Sequence, residues 1–163
     1  MHLSPGNVTP LLASTSLLLT RLDDTRIGFP ATAVRELVRS VAIASLSSAP
    51  AVIEGAINLR GNIIPVVDVR GRLGMPARPN SPDQFLVILE TTDRLIAVRV
   101  DDVDDMVDVP TADVQSSAGL SPALQHLAGV AATVEGAVVI YDADAFLTQA
   151  ERAVLDERGL VPA

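Results

Sequence analysis

The sequence predicts an all-β fold with short helices, built as two small antiparallel barrels or sandwiches that share one core. Short apolar strands of about five residues alternate with frequent turns, and few helices are indicated. The same order of elements also occurs twice along the chain. With 163 residues, of which 48% are apolar, the chain can bury a core as one domain without disulfides or a metal.

The duplication divides the predicted domain, residues 16–158, into two similar halves at about 16–75 and 84–147. Each half begins with an apolar strand, a polar turn of Asp and Thr, an arginine and a second apolar strand, and Arg26 and Arg94 occupy matching places. A stretch dense in Gly and Pro, residues 74–82, is the predicted connection. The matching segments are Leu17–Phe29 with Phe85–Val98, Val34–Val38 with Val103–Val107, and Gly55–Leu73 with Gly129–Leu147.

The segment from residue 55 to residue 70 predicts a hairpin that presents an arginine. Apolar and polar residues alternate from 57 to 60, which is the period of a half-buried strand. Gly61-Asn62 is a dipeptide that accepts the positive φ of a two-residue turn. Arg60 is therefore expected to lie beside a rigid turn, with its side chain exposed to solvent.

The return strand of this hairpin contains Pro65, which has no backbone N–H group. Such a strand is expected at a sheet edge or with a bulge. Asp68 follows it and is predicted to cap a short helix over residues 69–73. In the second half Glu135-Gly136 takes the turn position, and Asp142 precedes a second short helical segment over residues 143–147.

The two ends of the chain differ in predicted order. Residues 1–15 are predicted to be a loose leader, because Pro5 and Pro10 interrupt the stretch and no Lys or Arg precedes Arg21 to begin a secretory signal. Residues 148–158 predict a C-terminal helix, since Thr148 and Glu151 have the spacing of a capping box. This helix could pack on a barrel or dock a partner.

The composition argues against several classes of function. A formal net charge of −8 does not favour binding to nucleic acid or insertion into an anionic membrane. The chain has no cysteine and no lysine, so it cannot use a thiol nucleophile or form a Schiff base through lysine. It has only two histidines, so few of its side chains could act as general bases near neutral pH. We therefore expect no enzyme and no cofactor, and the missing cysteines fit a cytosolic protein.

The acidic stretch from Asp101 to Asp108 permits two interpretations. Clustered carboxylates can hold calcium or magnesium, which would suit a carboxylate-dependent metalloenzyme. The stretch lacks the glycine and the distal glutamate of an EF-hand loop, and its valines alternate as strand positions do. A solvated acidic strand edge is the preferred interpretation, and no metal site is predicted.

Four segments in order resemble the CheW-like family of bacterial chemotaxis coupling proteins. They are FPATAVRELVR, GAINLRGNIIPVVDVR, LIAVRVDDVDDMVDV and VVIYDADAFL, and the resemblance extends from about Ser16 to Leu155. The hairpin residues Asn58 to Gly61, with the return over residues 65–68, form its most specific part. The other segments share mainly apolar patterning.

This resemblance implies a non-catalytic adaptor made of two SH3-like five-stranded β-barrels. Such an adaptor couples the cytoplasmic tip of a chemoreceptor to the regulatory domain of a chemotaxis histidine kinase, and CheW-like neighbours in a ring are further possible partners. It implies a cytoplasmic location. A related alternative is an adaptor for a non-flagellar chemosensory pathway, such as twitching motility or gene regulation.

The resemblance also implies which residues bind partners. Arg60, with Asn58 and Gly61 beside it, matches the receptor-facing arginine, whereas the alternative is a surface arginine or one paired internally with Glu54. Glu36 interrupts the apolar positions Val34 and Val38 on a strand that matches a partner-contact region. Its alternative role is to protect an edge strand from unwanted pairing.

Overall fold

The computed structural model describes residues 14–47, 49–116, 127–133, 136–145 and 147–157. Strands predominate in these ranges, as predicted, and the helices are short. Within the described residues, no helix is long and apolar enough to cross a membrane. The strands are β1 (Ser14–Leu22), β2 (Thr25–Pro30), β3 (Val34–Arg39), β4 (Ile53–Leu59), β5 (Asn62–Val67), β6 (Phe85–Glu90), β7 (Leu95–Val100), β8 (Asp102–Pro110), β9 (Val114–Ser116), β10 (Leu127–Thr133) and β11 (Gly136–Tyr141).

In the part of the chain that the structure describes, the helical segments follow strands or lie in the last element. Helix α1 (Val69–Arg72) follows β5, and its N-cap Asp68 accepts a hydrogen bond from the backbone N–H of Gly71 at 3.0 Å, as the sequence predicts. Helix α2 (Gln149–Glu157) is the last element. Short 3₁₀ turns lie at Ala31–Ala33, Thr111–Asp113 and Ala143–Ala145.

The strands form two sheets, and each sheet takes strands from both halves of the chain. The six-stranded sheet has the order β8-β1-β2-β11-β10-β9, and the five-stranded sheet has the order β3-β6-β7-β5-β4. Neither half of the sequence therefore makes a sheet alone. Most pairs are antiparallel, as predicted, but β5 pairs with β7 and β11 pairs with β2 in parallel.

The first alternative predicted for Pro65 was wrong, because β5 lies between β7 and β4 and is not an edge strand. The pairing of β4 with β5 does have an irregularity, a register shift between Ile53 and Gly55 on β4. Pro65 faces Ala56 of β4. The backbone N–H and C=O groups of Ala56 point away from β5. The N–H donates to the carbonyl oxygen of Ala44 at 2.8 Å, and the C=O accepts a hydrogen bond from the N–H of Ala44 at 2.9 Å. The missing N–H of Pro65 therefore removes no hydrogen bond to β4, and pairing of β5 with β7 begins only at Val66.

The core has one shared part and one part inside each sheet. The largest cluster combines residues of both sheets with Leu155 of α2, and in it the rings of Phe29 and Tyr141 stack with centroids 6.0 Å apart. A second cluster lies within the six-stranded sheet around Leu17, and a third lies within the five-stranded sheet around Ile64. Burial of these side chains is the main favourable term that holds the two sheets together.

Helix α2 packs on the protein. Thr148 and Glu151 exchange the two hydrogen bonds of a capping box, at 2.8 and 3.1 Å. Leu155 is fully buried, and Arg94 binds the carboxylate of Asp156. At the other end of the chain, Ser14 and Thr15 already belong to β1, so the predicted leader is shorter by these two residues. Residues 1–13 lie outside the described residues.

Candidate protein-interaction site

The hairpin of β4 and β5 turns at Arg60 and Gly61, one residue earlier than the sequence predicts. Leu59 pairs with Asn62, which leaves Arg60 and Gly61 as the two central residues, with φ of 51° and 88°. Two positive φ values are the pattern of a type I′ turn. The side chain of Asn58 accepts a hydrogen bond from the N–H of Gly61 at 2.8 Å, and this bond fixes the turn at this place.

Arg60 forms a bidentate ion pair with Glu36. Its Nη1 donates to Oε2 at 3.0 Å, and its Nη2 donates to Oε1. The hydrogen bond from Arg60 is the main cause that lowers the pKa of Glu36, with smaller contributions from the charges of Arg60 and Arg35. The alternative partner weighed for Arg60 was wrong, because Glu54 binds Arg99 at 2.6 Å.

This ion pair connects the two end strands of the five-stranded sheet. Glu36 lies on β3 and Arg60 on the turn after β4, which are at opposite ends of the strand order. The segment that follows β3 also reaches β4, where Ala44 bonds to Ala56. At this approach a side chain on Gly55 would place its Cβ 2.2 Å from the carbonyl oxygen of Ala44, so only glycine fits. The sheet thus curves into a nearly closed barrel.

The surface around the turn is accessible. The Arg60 side chain is 67% exposed, and Asn58, Gly61 and Asn62 are exposed beside it. Ile63 is 50% exposed, although it is a large apolar residue. Sequence reasoning missed Ile63. The signal that could have identified this residue is the register of the hairpin, because Ile63 pairs with the exposed Asn58.

Strand β3 divides its side chains between the interior and solvent. Val34 packs against the shared core and Val38 packs against the core of the five-stranded sheet, so both are half-buried. Leu37 is 40% exposed and lies between exposed arginines at 35 and 39. Of the predicted β3 residues, the structure brings Glu36 to Arg60, while the outward face of β3 presents Leu37, which sequence reasoning missed.

A second ionic cluster, also missed from the sequence, joins the two sheets around Arg70. The side chain of Arg70 is 5% exposed and binds Asp23 at 2.8 Å and Asp101. Asp101 also accepts hydrogen bonds from the N–H of Asp23 at 2.6 Å and from Gln84 at 2.8 Å, and it pairs with Arg78 at 2.9 Å. Nearly all of the bonding capacity of Asp101 is therefore used inside the protein.

The cluster also sets the titration of Asp101. Burial by itself would raise the pKa of this carboxyl group. The hydrogen bonds from Asp23 and Gln84, together with the hydrogen bond and charge of Arg70, outweigh burial, so the pKa of Asp101 lies below its usual value. A carboxyl group with a lowered folded-state pKa stabilises the fold above its unfolded-state pKa, and this contribution is lost as pH falls through the folded-state pKa.

We therefore expect an acid-sensitive contribution to stability from Asp101. The free energy of unfolding should fall as pH decreases below about 4, the usual pKa of an aspartate in an unfolded chain. In Asp101→Asn the decrease should be shallower, because this group no longer titrates. Urea unfolding followed by circular dichroism at several pH values measures both slopes, and parallel curves for the two proteins would contradict the assignment.

The remaining aspartates of the acidic stretch lie on β8, the end strand of the six-stranded sheet. Asp102 and Asp104 pair with Arg21 at 3.3 and 2.9 Å, and Asp108 accepts a hydrogen bond from Ser16. Within the described ranges, no group of three or more His, Cys, Asp or Glu residues is arranged to hold a metal ion. The metalloenzyme hypothesis consequently has no site at Asp101–Asp108.

A thermal melt tests this conclusion directly. A ligand that binds the native state must raise its melting temperature. Calcium or magnesium at millimolar concentration should leave the melting temperature equal to that measured with a chelator. A rise of several degrees with either metal, lost in Asp104→Asn with Asp105→Asn, would contradict it.

The described residues form two β-sheets with an exposed arginine at a hairpin turn. A family model for the CheW-like domain matches residues 16–151. The chain therefore belongs to the CheW-like family, whose members are non-catalytic adaptors of bacterial chemotaxis.

Individual relatives agree with this assignment. The chain is 32% identical to the chemotaxis protein CheW of Rhizobium meliloti over 99 residues, which cover 61% of this chain and 64% of the relative. It is 23% identical to the chemotaxis protein CheW of Klebsiella aerogenes over 85% of each chain. The crystal structure of the scaffolding protein TtCheW from Thermoanaerobacter tengcongensis superposes with a TM-score of 0.74 at 26% identity, covering 83% of this chain and 94% of that one.

Proposed function

We propose that this chain is a cytoplasmic adaptor that couples the tip of a chemoreceptor to the regulatory domain of a chemotaxis histidine kinase. The observation that carries the proposal is the Arg60 hairpin. Its turn is fixed by Asn58, its guanidinium is oriented by Glu36, and its side chain is still largely exposed. A rigid, exposed guanidinium is suited to recognise a carboxylate on a partner.

The ion pair with Glu36 leaves Arg60 able to bind a further acceptor. A guanidinium has five N–H donors, and the contacts to Glu36 use one donor on each terminal nitrogen. The remaining donors can bond an acidic side chain of a receptor helix. The exposed Ile63 offers an apolar contact on the same hairpin, so the turn combines a polar and an apolar element, as protein interfaces do.

The adaptor role requires two binding surfaces that can be occupied together. We assign the receptor to the Arg60 hairpin on the five-stranded sheet, and we place the kinase domain on a separate surface of the barrels. Each contact should be weak, in the micromolar range of small transient interfaces, with avidity in an assembled array providing the remaining affinity.

A bridging assay tests this role. An immobilised receptor-tip fragment should retain the purified kinase regulatory domain only when this chain is added. The same amount of Arg60→Ala should retain much less kinase domain, because it no longer engages the receptor. Equal retention with and without the chain would contradict the proposal.

A second candidate places the same adaptor in a non-flagellar chemosensory pathway. The observation in its favour is 30% identity over 111 residues to the protein FrzA of Myxococcus xanthus, which covers 68% of this chain. The affinity of this chain for the kinase regulatory domain of a flagellar pathway and for that of a non-flagellar pathway distinguishes the two candidates. Tighter binding to one domain favours the corresponding pathway.

A further inference from the structure

Helix α2 connects the two sheets through ion pairs. It comes after β11 of the six-stranded sheet, but its ionic partners lie on α1 and in the turn between β6 and β7 of the five-stranded sheet. The helix is therefore a strap that reaches from one sheet to the other. The ion pairs that the structure describes for this helix are Arg152–Asp93 at 3.1 Å, Arg94–Asp156 and Arg72–Glu151.

The first half of the chain contains a corresponding connection. Helix α1 follows β5 of the five-stranded sheet, and its Arg70 binds Asp23 in the turn between β1 and β2 of the six-stranded sheet. The two connections differ in burial. Asp101, the other carboxylate partner of Arg70, is 10% exposed, whereas Asp93 and Asp156 are 40% and 53% exposed. Because salt screens exposed charges more than buried ones, the α2 connection is the one that salt can weaken.

Apolar burial contributes little to the docking of α2. Leu155 is the only one of its nine residues that is buried, Val154 is half-buried, and Ala150 and Ala153 are exposed. A helix of nine residues is too short to be stable alone in water, so α2 is helical only while it is docked. Its release also gains conformational entropy. Segments with few buried apolar contacts open at a lower free energy than core strands do.

We propose that α2 is a latch that opens as one unit while both sheets stay folded, and that its ion pairs control how often it opens. Opening removes Leu155 from the cluster that both sheets share, so it uncovers this part of the shared core. Salt favours the open state because it screens the ion pairs. Such a latch goes beyond the adaptor role and does not depend on it.

Hydrogen exchange of the full chain, resolved by NMR for single amides, measures the opening. The amides of residues 152–157 should have similar protection factors and should exchange at least about tenfold faster than those of β6 and β7, which open only with the sheets. Raising NaCl to about 1 M shortens the Debye length to about 3 Å and should speed exchange in α2 at least about threefold. The amides of β6 and β7 are the internal control and should change little.

Variants of the full chain test the control by charge. Glu151→Gln combined with Asp156→Asn removes two ion pairs and keeps the capping box, because glutamine also serves at that position. This variant should speed exchange in α2 about tenfold. Glu157→Gln changes an exposed carboxylate of the same helix and should not speed it.

Three results would each overturn the latch. The first is exchange of α2 at the rate of β6 and β7, and the second is a gradient of protection along the helix, which indicates fraying from one end. The third is exchange in α2 that responds neither to salt nor to the double variant more than to Glu157→Gln. The dispersion of the amide spectrum checks that both sheets remain folded in every sample.

Discussion

Exchange of Asp101 for asparagine is expected to lower the free energy of unfolding by about 3 kcal/mol, the lower end of the range for a broken buried ion pair. Asp101 is 10% exposed and joins both sheets through Arg70, Arg78, Gln84 and the backbone of Asp23. Asparagine keeps the shape but loses the negative charge. The buried guanidinium of Arg70 would then have only Asp23 as its carboxylate partner. Urea unfolding followed by circular dichroism measures the change.

Asp102→Asn is the matched control for this prediction. It removes a neighbouring carboxylate that also pairs with an arginine, but its side chain and that of Arg21 are about half exposed. An exposed ion pair contributes about 0–1 kcal/mol, so this variant should be close to wild type. Equal destabilisation by the two variants would contradict the claim that burial makes the Arg70 cluster important for stability.

Arg60→Ala is expected to weaken binding to the receptor tip by at least about tenfold, the loss that follows removal of one charge-assisted contact. The fold should be unchanged, because the side chain is exposed and its contribution through Glu36 is that of a surface ion pair. Arg60→Lys should give an intermediate affinity, since lysine retains the charge and loses the two-bond geometry. Surface plasmon resonance with an immobilised receptor-tip fragment measures these affinities.

Two controls separate a receptor contact from a role in closing the barrel. Arg35→Ala removes an equally exposed arginine that pairs with Glu90 on the same sheet, and it should leave receptor binding unchanged. Glu36→Ala breaks the ion pair and leaves the guanidinium in place, so it should weaken binding less than Arg60→Ala. Identical losses for Arg60→Ala, Glu36→Ala and the double variant would contradict a direct contact by Arg60.

The fold class could be predicted from local pattern because strands and turns are encoded by neighbouring residues. The apolar strand β6 and the cap at Asp68 depend on residues a few positions apart, and both occur where the sequence indicates. The turn of the Arg60 hairpin was predicted one residue late, because Gly61-Asn62 suits positive φ in isolation. The bond from the Gly61 N–H to Asn58, together with the pairing of Leu59 and Asn62, selects the earlier position.

The ionic contacts could not be predicted because they join residues far apart in the chain. Arg60 and Glu36 were both predicted as site residues, but their pairing depends on the curvature that brings the two ends of one sheet together. Arg70 and Asp101 are 31 positions apart, and Asp23 is 47 positions from Arg70. No periodicity in the sequence links these positions, so Asp101 was grouped with the acidic strand that follows it.

Binding of the purified chain to its candidate kinase regulatory domain, measured by isothermal titration calorimetry, tests the adaptor role most directly. Wild type should bind with a micromolar dissociation constant, typical of a small transient interface. Arg60→Ala, run alongside Glu36→Ala, should bind the kinase domain with an affinity near that of wild type, because Arg60 is assigned to the receptor surface. Absence of binding to every kinase regulatory domain tested would contradict the account, and loss of kinase binding in Arg60→Ala would contradict the assignment of its surface.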